Sequence, residues 1–194
     1  MSLTDSQYKM QHWEEQGGFV FLKKIGIEFG WHVLDFGARV GHYSLPLAQA
    51  VGVMGQVTAV DTNSEVLEIL KDKIDRNGLR NVTVLSVSDE LPTPLPDQSM
   101  DAILAYDVLQ LVSDRDAVYA DFYRLLKPGA MLSVYPKHNK NDSPGWGLAD
   151  LTVTQIKSEI LRGGFEFDRE VCENISHDDD MNFGCVLNFR KTME

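Results

Sequence analysis

The sequence predicts an α/β fold: a doubly wound sheet, mostly parallel, with an antiparallel C-terminal hairpin strand. Three observations carry that expectation. Apolar runs of strand length alternate with segments of helical period through residue 162, a pattern that builds a parallel sheet covered on both faces. Acidic positions recur at or just past successive strands, at Asp35, Asp61, Asp89 and Asp107, and open α/β sheets bind ligands beyond those ends. After the last helical segment two strand-like runs, 165–172 and 182–190, follow with no helix between them. Two such runs pair as a hairpin, not through another crossover.

Each element has a local reason. Thr4-x-x-Gln7 is a capping box that opens a helix through about residue 16, and Gly17-Gly18 is expected to break it. A second apolar segment, 19–29, leads to the first strand at 32–36. A loop at 37–41 feeds a helix that ends near Gly52, and the second strand is 56–61. Thr62-x-x-Glu65 is expected to cap the next helix, which carries Val66, Leu67, Ile69, Leu70 and Ile74 and stops at Gly78. The third strand is 82–87. Three prolines make 91–98 a loop, and the fourth strand is 100–106. A helix over about 114–126 ends at Lys127-Pro128-Gly129, before a fifth strand at 130–135. The polar stretch 138–147 reads as a loop, and Thr152-x-x-Gln155 caps a helix ending at Gly163-Gly164.

With 194 residues, the chain suits one domain with a substantial core. Its expected parts are an N-terminal helical segment (1–29), a ligand-binding core (30–136) and a C-terminal loop, helix and hairpin (137–194). The net charge is −11, with 18 basic against 29 acidic residues, which argues against a nucleic-acid partner because phosphate binding needs clustered Lys and Arg. No apolar run reaches the ~20 residues of a membrane span, and no export signal is visible at the start. The two cysteines, Cys172 and Cys185, lack a Cys-x-x-Cys spacing. Neither a disulfide framework nor a zinc cage is expected, which suggests a cytoplasmic location.

The candidate site follows from the strand ends. Asp35, Gly37, Ala38 and Gly41 follow the first strand, and the glycines permit close backbone approach to a ligand. Asp61 and Thr62 end the second strand, where an acid accepts hydrogen bonds from ribose hydroxyls in nucleotide-binding sheets. Ser88 and Asp89 lie past the third, placed to accept from an exocyclic adenine amine, and Tyr106 and Asp107 close the fourth. His177 to Asp180 reads His-Asp-Asp-Asp. Consecutive residues on a hairpin connection point in different directions, so a solvated turn is expected there and no metal site.

These segments together resemble the class I S-adenosylmethionine-dependent methyltransferases, of the small-molecule, ubiquinone/menaquinone-methyltransferase-like type. VLDFGARVGHYSLPLA resembles their first motif, acid-x-Gly-x-Gly-x-Gly, and VTAVD their second. SDELPTPLPDQSMDAILAYDVLQLV and LLKPGAMLSV are similar to their later motifs, so the likeness covers roughly residues 30–136. It implies a Rossmann-like fold, S-adenosyl-L-methionine as cofactor, S-adenosyl-L-homocysteine as product, and in-line methyl transfer to a small-molecule acceptor. The cofactor would rest on Asp35, Gly37, Ala38, Gly41, Asp61, Thr62, Ser88, Asp89 and Tyr106. The acceptor would meet Tyr8, His12, Trp13, Asp107, His138 and Trp146, with the N-terminal helix and the 138–146 loop closing over it. Arg39 departs from the pattern by standing at the middle glycine. A relative that binds the cofactor without turnover is therefore one alternative. An NAD-dependent oxidoreductase is another, although residues 37–42 do not supply its Gly-x-Gly-x-x-Gly.

Overall fold

A computed structural model describes residues 4–88 and 90–193, so Asp89 lies outside the described residues. Seven strands form one sheet in the order β3-β2-β1-β4-β5-β7-β6. They are β1 His32–Phe36, β2 Gln56–Asp61, β3 Val82–Ser86, β4 Met100–Tyr106, β5 Leu126–Tyr135, β6 Phe165–His177 and β7 Asp180–Lys191. The helices are α1 Asp5–His12, α2 Gly18–Ile25, α3 Ser44–Val51, α4 Ser64–Arg76, α5 Arg115–Leu125 and α6 Val153–Arg162. β1 pairs with β2, β2 with β3 and β4 with β5 in parallel, while β5 and β7 are antiparallel. The α/β class and the single antiparallel hairpin agree with the expectation from sequence. The chain divides into two compact units, Met1–Ser86 with Cys172–Gly184, and Val87–Val171 with Cys185–Glu194.

In the first unit the expected capping box of α1 is present, Thr4 and Gln7 satisfying each other's backbone. The expected break at Gly17-Gly18 is absent. A π-helical turn, Trp13–Gly17, carries the chain on into α2, and Gly17 and Gly18 both keep right-handed helical angles. The reason for Gly18 is packing: a Cβ there would sit 2.7 Å from Cγ of Pro46 on α3. Gly26, at φ 105°, ends α2. Trp13 is only 3 % exposed, tilts against Phe21 at 5.7 Å and donates its indole N–H to the His42 carbonyl at 2.9 Å. It is seated in the packing, although the sequence reading gave it to a closing segment.

Asn63, not Thr62, caps α4, its side chain accepting the N–H groups of Glu65 and Val66. Leu67, Leu70 and Ile74 then share one face, at the i, i+3, i+7 spacing of a helix, and pack with Ala38 and Ala59. Ile69, expected on the apolar face, is 49 % exposed.

In the second unit β5 starts at Leu126, four residues before the expected start, because the Lys127-Pro128-Gly129 turn is absorbed as a register irregularity between the Met100–Leu126 and Ala102–Met131 pairs. Lys127 pairs there with Asp101 at 2.6 Å. Arg124 holds the proline-bearing loop: it donates to the carbonyls of Thr93 and Leu95 and pairs with Asp97 and Asp121. Thr152 and Gln155 form the expected capping box of α6. The hairpin arms are longer than expected, reaching His177 and Asp180. Both cysteines, one on each arm, are disulfide-bonded. That corrects the expectation of no disulfide framework, which rested on spacing along the chain and could not register the pairing of two hairpin arms.

Candidate functional site

The loop after β1 is built by left-handed backbone and internal hydrogen bonds. Gly37 has φ 82° and Gly41 φ 87°. The N–H groups of Gly37 and Ala38 both donate to the Val60 carbonyl, and that of Gly41 donates to Ala38. These donors are spent inside the protein, so the loop shapes the site more than it supplies N–H groups. The reason for glycine at 41 is partly core packing, since a Cβ there would run into Leu70.

Arg39 has φ 46°, the conformation a glycine would take at little cost. Its N–H donates to Oδ2 of Asp61 at 2.9 Å, and its guanidinium turns to Asp178 at 2.7 Å. Oδ1 of Asp61 accepts the Asn63 N–H at 2.9 Å. Each Asp61 oxygen thus takes one backbone N–H, and a carboxylate oxygen has a second acceptor position. Two adjacent hydroxyls, such as those of a ribose, match that donor requirement. Thr62 beside it is exposed.

Asp35, one of the expected ligand residues, makes an internal hydrogen bond. Its carboxylate is 3 % exposed and accepts the Ser44 hydroxyl at 2.5 Å, tying β1 to the start of α3. Burial pushes its carboxyl up to about 6, with Ser44 pulling the other way.

Sequence reasoning missed a set of ion pairs on the same loop. His42 Nδ1 meets Glu14 at 2.7 Å and its Nε2 meets Asp179 at 3.1 Å. Lys73 also reaches Glu14, at 2.6 Å. The Asp178-Asp179 turn is exposed, as expected, yet both acids are paired with basic groups of the 37–42 loop. Their distance along the chain, 139 and 137 residues, left no signal beyond charge complementarity.

The second unit carries its own group of expected residues. The Tyr106 hydroxyl shares a hydrogen bond with Ser133 at 2.6 Å, inside the sheet. Asp107 and His138, at the ends of β4 and β5, both have positive φ, 52° and 60°. Such strain in non-glycine residues is concentrated at functional sites. His138 Nε2 lies 3.5 Å from Asp107, its Nδ1 lies 3.0 Å from the Pro144 carbonyl, and its ring lies 4.8 Å from that of Trp146. Gln110 fixes Asp107 by donating to both its carbonyl and its carboxylate. Ser88 is exposed and accepts the Glu90 N–H at 3.4 Å. Of the N-terminal candidates, Tyr8 is 65 % exposed, whereas His12 and Trp13 line a groove of about 410 Å³ with Lys9, Val20 and Met181.

Residues 34–134 match the family model described as a methyltransferase domain. The chain belongs to the methyltransferase domain family. Within it, the ubiquinone/menaquinone biosynthesis C-methyltransferase of Pseudoalteromonas translucida is 36 % identical over 110 residues, covering 56 % of this chain and 43 % of that one. The demethylmenaquinone methyltransferase of Listeria welshimeri is 30 % identical over 125 residues, covering 64 % and 52 %. The chain therefore spans about half the length of the curated relatives it matches. A crystal structure of a SAM-dependent methyltransferase from Aquifex aeolicus shares the fold of this methyltransferase-domain chain, with TM-score 0.75, 22 % identity and 97 % and 99 % coverage. The dinucleotide-oxidoreductase reading is not favoured by this membership. No helix among the described residues is long and apolar enough to cross a membrane.

Proposed function

We propose that this methyltransferase-domain chain transfers a methyl group from S-adenosylmethionine to a small-molecule acceptor. The observation that carries the reading is Asp61, at the end of β2, with both carboxylate oxygens oriented by backbone N–H groups and each retaining acceptor capacity. When bound, the cofactor supplies a methyl on a sulfonium, whose leaving group is a neutral thioether. Asp61 holds the ribose hydroxyls, and the backbone of the loop 37–41, turned by the left-handed angles of Gly37 and Gly41, shapes the surface beside it. Asp35 ties β1 to the start of α3 through Ser44. In-line transfer needs alignment above all, and orientation supplies ~7–11 kcal/mol in favourable cases.

For the acceptor we propose Asp107, His138 and Trp146, supported by the strain at the first two and by the fixing of His138 on Pro144. A general base is required only for an acceptor that arrives protonated. The names of the relatives make a quinone-ring precursor the first acceptor to try, and the net charge of −11 supports a small molecule over a nucleic acid. The reading as a relative without turnover is less well supported, because the Arg39 side chain is held on Asp178 and leaves Asp61 accessible to a ligand. Calorimetric titration with S-adenosylhomocysteine, then transfer of labelled methyl to demethylmenaquinol and a panel of small phenols and amines, tests the proposal. Binding with transfer supports it, and binding with no transfer to any of them favours the inactive relative.

A further inference from the structure

Resting on the cofactor reading above, we propose that His42, as an imidazolium, is a positioning residue that clasps the hairpin turn onto the 37–41 loop and so holds the loop in its cofactor-binding geometry. Both partners of the ring, Glu14 and Asp179, are carboxylates that only accept hydrogen bonds when ionised. A neutral imidazole carries one N–H and can serve one of them, whereas the imidazolium serves both.

The two partners are unequal. Glu14 is 20 % exposed and shared with Lys73, while the Asp179 side chain is 77 % exposed. Burial alone would raise Glu14, but hydrogen bonds from His42 and Lys73 outweigh it and hold Glu14 below the ordinary range. The hydrogen bond from His42 likewise holds Asp179 low. When the ring loses its second proton, the link to exposed Asp179 is therefore the one that goes. Other ties of the turn include the exposed Arg39–Asp178 pair, the Ser6 hydroxyl on the Asp179 carbonyl and the Tyr43 hydroxyl on the Ser176 carbonyl. An exposed pair of that kind contributes little. Arg39 and buried Asp35 are further charged groups near the ring.

Holding the loop in one shape lowers the ordering cost of binding. The test is S-adenosylhomocysteine affinity by calorimetry across the pH range in which the protein stays folded. The wild type is expected to bind roughly fivefold more weakly at the upper end. His42→Gln is expected to bind weakly with a flat profile. Asp179→Asn is expected to be flat but tight, because its amide can donate to a neutral ring and restore the link. Asp35 titrates in the same window, so Asp35→Asn must keep the wild-type trend. Amide exchange across residues 175–182, corrected for intrinsic rates, should accelerate with pH in the wild type and not in Asp179→Asn. A pH-independent wild type, or His42→Gln binding like the wild type, overturns the inference. No binding at any pH sinks the cofactor reading and this role with it, while exchange still reports whether the clasp exists.

Discussion

At the scale of single residues, two carboxylates at neighbouring strand ends behave in opposite ways. Asp61 is semi-exposed and oriented outward by its N–H donors, so Asp61→Ala is expected to weaken S-adenosylhomocysteine binding by ~1.5–3 kcal/mol, the worth of charge-assisted hydrogen bonds. Unchanged affinity in a folded variant would remove Asp61 from the site. Asp35 is buried, and its carboxyl is raised from 3.8 to about 6. A raised acid binds protons more readily in the folded state, so its ionisation costs stability. That cost grows as pH rises from about 4 to about 6 and is full above. Asp35→Asn should therefore gain on the wild type by up to about 3 kcal/mol between those limits, at 1.36 kcal/mol per pKa unit. Denaturant titrations at several pH values check this, and a constant offset contradicts it. Asp61 could be proposed from sequence because its position at a strand end has a known use. The His42 pairs were not, because one partner, Glu14, lies 28 residues away and the other 137.

At the scale of elements, the first, second and fourth strands were legible to the residue, because apolar runs bounded by turn residues leave little choice of limits. The N-terminal helix was not, since in a glycine pair that usually breaks a helix Gly18 here serves close packing. The two glycines give opposite signs. Gly17→Ala meets only ordinary contacts, the nearest at 3.5 Å, and should stabilise by ~0.5–1 kcal/mol through helix propensity. Gly18→Ala would push a Cβ to 2.7 Å from Pro46 and should destabilise by ~1–3 kcal/mol. Thermal or denaturant unfolding of both decides it, and two stabilised variants would contradict the packing account. The first arm was read short because its missed residues 173–177, Glu-Asn-Ile-Ser-His, hold a single large apolar side chain, the buried Ile175, which leaves no apolar alternation to follow.

At the scale of the whole molecule, the class I fold and the family were legible from motifs spread over roughly residues 30–136, while the acceptor was not, because no local pattern specifies it. The N-terminal segment shows the same limit. Its sequence reads as a removable closing flap, yet Trp13 is buried and Glu14 anchors His42. Deleting residues 1–16 is therefore expected to lower the unfolding temperature clearly, since losing a buried Trp alone costs ~3–5 kcal/mol, and to weaken cofactor binding. An unaltered melting curve would restore the flap reading. The central claim is that this chain binds S-adenosylmethionine through Asp61 and transfers its methyl group. The most direct measurement follows labelled methyl from S-adenosylmethionine into demethylmenaquinol and the small-molecule panel, with the wild type and Asp61→Ala side by side. Transfer by the wild type that falls at least roughly tenfold in the variant, as a loss of ~1.5–3 kcal/mol in cofactor binding requires at subsaturating cofactor, is the expected result. No transfer by a wild type that binds S-adenosylhomocysteine, or equal transfer by both proteins, would contradict it.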